Sequence, residues 1–366
     1  MRVAVVGRGI AGLAVAYYLR AAGADVDVFG PDLGEGDASY AAHGFSIHKG
    51  LLLPESPFFR AKMRGQALLW EWIESVEAKT GEKIPRQKGL LEPYWSHDDY
   101  QKVAQRVYRR DFTGCFRVEG VPGSPEWRSL FSQPPLGAFR YSEDYWFNPQ
   151  VFLRSLESLL QKWHVKFTKV HISRVQRASA KWALKHGSDH YDDFDNVVLA
   201  AGAGCCRLLE DSGLKSLAIR ESSGSVIMGS LNFLDSPTLL TRFGSGAIVG
   251  PDSRVSISKD MESSMVLEDI LASSVEYFRL RKDLMATNLV KVSGTRVKSR
   301  DRIPVVGALG LDGGGSGLFV MTGLNRNGME LAPGCAMFLR SLILNERVPE
   351  AQPELAFDPN RLSIRV

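Results

Sequence analysis

Residues 5–12 read Val5-Val6-Gly7-Arg8-Gly9-Ile10-Ala11-Gly12, and their setting decides the fold. The apolar run Arg2-Val3-Ala4-Val5-Val6 leads into them and reads as a buried strand. A helical stretch from Leu13 to Ala22 follows, stopped by Gly23, and a second strand comes next at Val26-Asp27-Val28-Phe29. Strand, glycine turn, helix and strand within about 30 residues is the order a dinucleotide-binding βαβ unit requires. Gly7 permits the tight turn, Gly9 lets the backbone approach a pyrophosphate, and Gly12 lets helix and strand pack closely. Ile10 and Ala11 lie where the helix N-terminus offers unbonded N–H groups and its positive dipole end to phosphate.

The rest of the chain fits a large globular protein. Its 366 residues are 44% apolar and 23% charged, enough for two substantial units or one interleaved unit. No apolar run approaches the roughly 18 residues of a membrane span, so no membrane partner is expected. The start lacks the charged-then-apolar pattern of a signal peptide, and the expected location is cytoplasmic. Cys115, Cys205, Cys206 and Cys335 follow neither a metal-ligand spacing nor a disulfide pattern, which predicts reduced thiols and no metal site. The net charge of +4 is modest. Its basic clusters, Arg106 to Arg110 and Arg296 to Arg302, are short and interrupted, as on a solvated face.

Asn148-Pro149 reads as an N-cap and first helical residue. Phe152, Leu156, Leu159, Leu160 and Trp163 then recur at helical spacing. Strands are expected at Val165–Thr168 and Asn196–Ala200. The second runs into Ala201-Gly202-Ala203-Gly204, as a central parallel strand does when its end meets a ligand. Short strands at Ser225–Met228, Ala247–Val249 and Val255–Ile257 predict an antiparallel sheet. Another buried strand, Gly317 to Gly323, leads through Leu324-Asn325-Arg326-Asn327-Gly328 into a helix expected from Glu330 to Leu344, with Pro333 in its first turn. Both ends of the chain thus contribute strands to one sheet.

Several of these stretches together resemble the glycine oxidase and D-amino-acid oxidase family of FAD-dependent oxidoreductases. The N-terminal unit resembles the family's FAD-binding start. Asp37 to Gly44, including Ser39, resembles its second flavin-contacting loop. Trp146-Phe147-Asn148-Pro149 resembles the helix entry after the substrate sheet, and Val197 to Gly204, with Ala201 and Gly202, the strand that passes the flavin. Gly294 to Gly307 and Thr322 to Pro333 resemble the two C-terminal motifs, the most specific of the set. The resemblance implies an α/β fold: a Rossmann-like FAD-binding domain (1–85, 145–210 and 297–366) interleaved with an α+β substrate domain on an antiparallel sheet (86–144 and 211–296). It implies non-covalent FAD and two-electron oxidation of a small amine or amino acid, with O2 as electron acceptor.

Within that resemblance, Arg296 and Arg326 match the positions that clamp the substrate carboxylate, a task suited to a planar guanidinium fork. The alternative for Arg296 is a structural ion pair with Asp301. Asn327, Gly328 and Met329 match the helix opening that faces the flavin pyrimidine ring, where the dipole would favour an anion. Two positions depart from the pattern. The acid expected to grip the FAD ribose at the end of the second strand is Gly30; Asp32 lies at about the usual twenty-residue distance from the fingerprint and either takes over or the contact is lost. Thr238 stands where an aromatic is expected in the substrate sheet, so substrate identity does not carry over. Tyr145 and Trp146 line the pocket or belong to the core; His43 and His48 read as structural.

Three functions compete: oxidation of a glycine- or sarcosine-like amine, binding without catalysis, and oxidation of a tRNA. The last follows from a second resemblance of Gly294 to Gly307, to the oxidase domain of the bifunctional enzyme that trims carboxymethylaminomethyl groups from wobble uridine. An NAD-linked dehydrogenase shares the N-terminal fingerprint but not the C-terminal motifs.

Overall fold

The computed structural model describes residues 1–48, 56–108, 115–119, 130–229, 238–242, 245–249, 254–256, 278–280, 290–310 and 317–362, with single positions at 269, 272 and 276. Arg109 and Arg110 of the first basic cluster, and Ile257, lie outside these residues.

The N-terminal fingerprint builds the centre of a six-stranded sheet. Its strands are β1 (Arg2–Val6), β2 (Asp25–Phe29), β8 (Lys166–Thr168), β12 (Asn196–Leu199), β18 (Val305–Ala308) and β19 (Leu318–Thr322), in the order β18-β19-β12-β1-β2-β8. All neighbours are parallel except β18 and β19. As its apolar run predicts, β12 is a central parallel strand, between strands drawn from the two ends of the chain.

Both faces of this sheet are covered, which is why β1 is apolar at successive positions rather than alternately. Val3, Val5, Val26, Val28 and Val198 face a helical layer. That layer holds α1 (Ile10–Ala21), α2 (Pro57–Thr80), α4 (Pro149–Lys162) and α6 (Gly328–Ile343). A shorter helix, α3 (His97–Tyr108), packs beside the larger sheet described below. Ala4, Val6, Val197 and Leu199 face Trp182, Leu184, Phe194 and the short helix α5 (Gly204–Asp211). Those aromatic and aliphatic partners come from a three-stranded sheet of β9 (Arg174–Ala178), β10 (Lys181–His186) and β11 (Asp189–Phe194).

Helix ends follow local chemistry. Asn148 caps α4 by accepting from the Val151 N–H at 3.2 Å, with Pro149 next. Helix α6 starts earlier than the sequence suggests, at Gly328, so Pro333 lies inside it rather than in its first turn. The helix tolerates the missing donor because buried neighbours hold it in place on either side of the proline: Leu331, Ala332, Cys335 and Ala336 are all buried.

A larger sheet stands beside the first. Its path runs β3 (Gly36–Asp37), β17 (Val290–Ser299), β13 (Ile219–Met228), β16 (Arg254–Ser256), β15 (Ser245–Val249), β14 (Thr238–Arg242), β5 (Arg86–Tyr94), β7 (Gly137–Phe147) and β4 (Phe45–Ser46), and β6 (Cys115–Glu119) also pairs with β7. It is antiparallel apart from two short parallel contacts, β14 with β5 and β17 with β3. Its long ladder of β13 against β17 carries Arg296 opposite Ser222.

Candidate functional site

Gly7 leaves β1 with φ of 122°. A Cβ on it would collide with the Ala200 carbonyl, and one on Gly12 with the Gly7 carbonyl. The turn is therefore closed by backbone against backbone, and no larger residue fits. Gly9 caps α1 without a side-chain acceptor, and no acid occupies the first turn. The Ile10 N–H donates to Ser39 Oγ at 3.0 Å, so the loop after β3 docks on the helix opening. Bare glycine backbone, a helix N-terminus of positive potential and a nearby hydroxyl suit a pyrophosphate, so the residues present fit a dinucleotide.

Five further predicted positions converge here. Ala201 and Gly202 follow β12, and the Gly202 carbonyl accepts from Thr322 Oγ1 at 3.1 Å, tying the ends of β12 and β19 together. A Cβ on Gly328 would stand 3.6 Å from Ile10 Cγ2, so the N-terminus of α6, with Asn327 and Met329, meets that of α1. Ligands of open α/β sheets bind at such carboxyl ends of strands.

The two arginines come from neighbouring segments. Arg296 lies on β17, and Arg326 lies in a 3-10 turn, Asn325–Asn327. The Arg296 guanidinium runs across Gly224, where an added Cβ would fall 3.1 Å from Cζ and closer still to Nη2. On the same stretch of β17, a Cβ on Gly294 would stand 2.8 Å from Ala41 Cβ and 2.7 Å from the Asp37 carbonyl. The loop carrying Ser39 thus crosses β17 beside Arg296. Asp301, the alternative partner considered for Arg296, is held instead by Arg361 at 2.9 Å, Ser299 Oγ at 2.7 Å and the Ile303 N–H at 3.0 Å.

Asp32 is 59% exposed and bound from two sides, by Arg8 Nη1 on one oxygen and by Lys169 Nζ at 2.7 Å on the other. The Lys169 hydrogen bond, with the Arg8 charge added, holds its carboxyl below the usual range. Arg8 is buried and also pairs with Glu157 of α4.

A charged cluster missed in the sequence lies behind the α6 opening. Glu330, 3% exposed, accepts from Ser46 Oγ at 2.7 Å, contacts His48 Nε2 at 2.6 Å and pairs with Lys62 Nζ at 3.5 Å. Burial alone raises the Glu330 carboxyl; Lys62, His48 and Ser46 more than reverse this and hold it below its ordinary value. The His48 N–H donates to Asp144 Oδ1 at 2.9 Å, so a second buried carboxylate joins the cluster. The available signal was an acid in the otherwise apolar run Met329-Glu330-Leu331-Ala332. His48 is thereby a structural residue with a named partner. Tyr145 and Trp146 are core residues: the Tyr145 hydroxyl donates to the Gln66 carbonyl at 2.8 Å and the Trp146 indole to the His43 carbonyl at 3.1 Å. Thr238 opens β14 opposite Val249.

Among the described residues, Cys205, Cys206 and Cys335 are free thiols, no group of acidic, His or Cys side chains is placed to hold a metal ion, and no helix is long and apolar enough to cross a membrane.

Comparison with known proteins agrees with this geometry. The family described as DAO, FAD dependent oxidoreductase, matches residues 2–342. The chain is 26% identical over 389 aligned positions to the tRNA 5-methylaminomethyl-2-thiouridine biosynthesis bifunctional protein MnmC of Caulobacter sp., an alignment covering 100% of this chain and 58% of that protein. The chain thus spans little more than half the length of this curated relative. Iminodiacetate oxidase from Chelativorans sp. superposes with a TM-score of 0.80 at 17% identity, over 98% of this chain and 99% of that one. Glycine oxidase from Geobacillus kaustophilus gives 0.78 at 20% identity, over 100% and 99%. These last two likenesses are of fold.

Proposed function

Because this chain belongs to the DAO family of FAD-dependent oxidoreductases, we propose that it oxidises a small amino acid or secondary amine of the glycine or sarcosine kind. Bound FAD supplies the two-electron acceptor. In this reading the unprotonated amine would give up its Cα hydrogen together with the bonding electron pair, as a hydride, to the bound FAD, and the iminium left behind would lose a proton to give the imine. Water hydrolyses the imine to an oxo acid and the released amine. O2 would then take two electrons from the reduced cofactor, with two protons, and leave as H2O2.

The roles proposed here are those the resemblance implies, and position supports them. Gly7, Gly9, Ile10, Ala11 and Gly12 would hold the pyrophosphate, Ser39, Ala201 and Gly202 would line the approach of the flavin, and Asp32 would meet the ribose. Asn327, Gly328 and Met329 aim the α6 dipole at the pyrimidine edge. Arg296 and Arg326 hold the substrate carboxylate and so fix the direction of Cα. The observation that carries this reading is the placement of Arg296, its guanidinium lying across Gly224 beside the loop that docks on α1.

The test is anaerobic mixing of the FAD-loaded protein with glycine, sarcosine and other small amines. Bleaching of the visible flavin bands by one of them, with stoichiometric H2O2 on readmission of air, is expected. No bleaching by any small amine overturns the reading. Flavin is expected to be released by acid precipitation, since Cys335 lies within α6 and not at the position where the resemblance to sarcosine oxidases would put a covalent link.

The curated relative favours a second reading, in which the amine is carried on a tRNA wobble uridine. A carboxymethylaminomethyl group contains a glycine-like secondary amine, so the same arginines serve. Flavin reduction by modified tRNA but not by free amines, with affinity falling as salt rises, would decide for it.

A further inference from the structure

The second residue of the glycine fingerprint is an arginine whose side chain the pyrophosphate does not need. We propose that Arg8 is a positioning residue that presents Asp32 as the acid for the FAD ribose, in place of an acid at Gly30.

An acid that ends the second strand of a dinucleotide-binding unit accepts from the ribose hydroxyls. Here β2 ends at Phe29, and the Gly30 N–H donates to the Thr168 carbonyl at 3.1 Å, which fixes the backbone at the strand end. A side chain at Gly30 would be tightly placed, since an added Cβ would stand 3.3 Å from both Arg8 Cβ and Arg8 N.

The Arg8 guanidinium is committed elsewhere than the helix opening. Nε donates to Glu157 Oε2 at 3.1 Å and Nη2 pairs with the other Glu157 oxygen, a two-point grip from α4. The plane lies 5.2 Å from the Phe167 ring centre on β8. This leaves Nη1 for Asp32 Oδ1, while Lys169 holds Oδ2. Two cations thus fix the orientation of one carboxylate, and each of its oxygens keeps acceptor capacity for a hydroxyl. An exposed aspartate held in place loses less freedom on binding than one on an unrestrained side chain. The charges of Arg8, Lys169, Asp32 and Glu157 sum to zero, so the cluster adds hydrogen-bonding geometry and no net charge beside the pyrophosphate site.

This inference rests on the FAD-binding part of the function proposed above and not on its substrate. The test is FAD affinity of the apoprotein, read by quenching of flavin fluorescence. Asp32→Ala is expected to weaken FAD about 10- to 100-fold, the loss of one charge-assisted hydrogen bond. Arg8→Ala is expected to weaken it comparably, and the double variant no further than the weaker single one, because both act through one carboxylate. Should Arg8→Ala fail to fold, Glu157→Gln, which loosens the same guanidinium, is expected to weaken FAD only while Asp32 is present. FAD binding by Asp32→Ala within twofold of the parent overturns the inference, as do multiplicative losses in the double variant, which would mean that Arg8 acts on FAD by itself. Either result leaves the oxidase reading standing, and a parent whose bound flavin no amine reduces leaves this inference standing.

Discussion

Lys298 and Leu324 face each other across an isolated antiparallel bridge. Arg296 lies two residues before the first on β17 and Arg326 two residues after the second in the 3-10 turn, so the bridge holds the segments that carry the two arginines side by side. That single backbone contact joins two segments that are each a recognisable sequence motif, and the proposed carboxylate clamp would depend on both of them.

Arg326→Ala is expected to leave FAD bound, since Arg326 belongs to the turn before α6 and not to the fingerprint. The substrate half-saturation for flavin reduction should rise about 100-fold, the scale of losing one partner of a desolvated charge pair. Arg326→Lys should recover little of this, because an ammonium does not reproduce the two parallel hydrogen bonds of a guanidinium. Stopped-flow reduction with the best amine checks it; unchanged half-saturation would remove Arg326 from the clamp.

Gly224 is predicted to govern substrate affinity without touching substrate. An alanine there drives its Cβ against the Arg296 guanidinium. The obstacle is the far end of a flexible side chain, so the fold should yield at that point and the urea midpoint should barely move. The guanidinium shifts instead, and misplacement of a positioning group by about 1 Å costs on the order of 10- to 100-fold. Steady-state kinetics should show the loss in KM, and Gly224→Ala should add nothing in an Arg296→Ala background. An equal penalty in both backgrounds would show that the glycine matters for another reason.

Much of this was legible because the signals are local. The β1–α1–β2 unit declares itself by glycines and by the change from strand to helix periodicity, and Asn148-Pro149 announces α4. The apolar β12 could only be a strand covered on both faces. What covers the second face was not legible: β9, β10 and β11 are short, mixed in polarity and bury Trp182 and Phe194 only once folded together. Nor was the destination of Arg8, since its partner Glu157 is 149 positions away. His48 and Glu330 are 282 apart, and neither residue type at its own position implies the other. Pairings of that range leave no periodicity in the chain.

Asp301 gives a prediction in pH. Burial raises its carboxyl, but Arg361, Ser299 and the Ile303 N–H outweigh that and depress it to about 2. A depressed carboxylate contributes stability above its unfolded value, near 3.9, and loses it as pH falls toward the folded value. Asp301 and Arg361 both remain partly exposed, so the discounted contribution is about 1 kcal/mol. The gap in urea midpoint between the parent and Asp301→Ala should be constant from about pH 7 to 5 and narrow below about pH 4. A gap that widens on acidification would contradict the sign.

The Glu330 cluster makes the sharpest stability prediction. Lys62 and Glu330 have side chains 5% and 4% exposed and form a buried ion pair. Glu330→Gln keeps the shape but leaves the Lys62 ammonium buried without its counter-charge, at a cost of about 3–5 kcal/mol. Adding Lys62→Met to Glu330→Leu removes both charges and should restore more than half of the loss, because burying a well-packed apolar pair avoids the desolvation of two ions. Recovery should be incomplete, since Ser46 Oγ and His48 Nε2 also lose the Glu330 oxygen they contact. The order parent, double variant, Glu330→Gln in urea midpoint at constant m value is the expected result. A double variant no more stable than Glu330→Gln would mean that the hydrogen bonds to Ser46 and His48, rather than the ion pair with Lys62, hold the opening of α6 against α2.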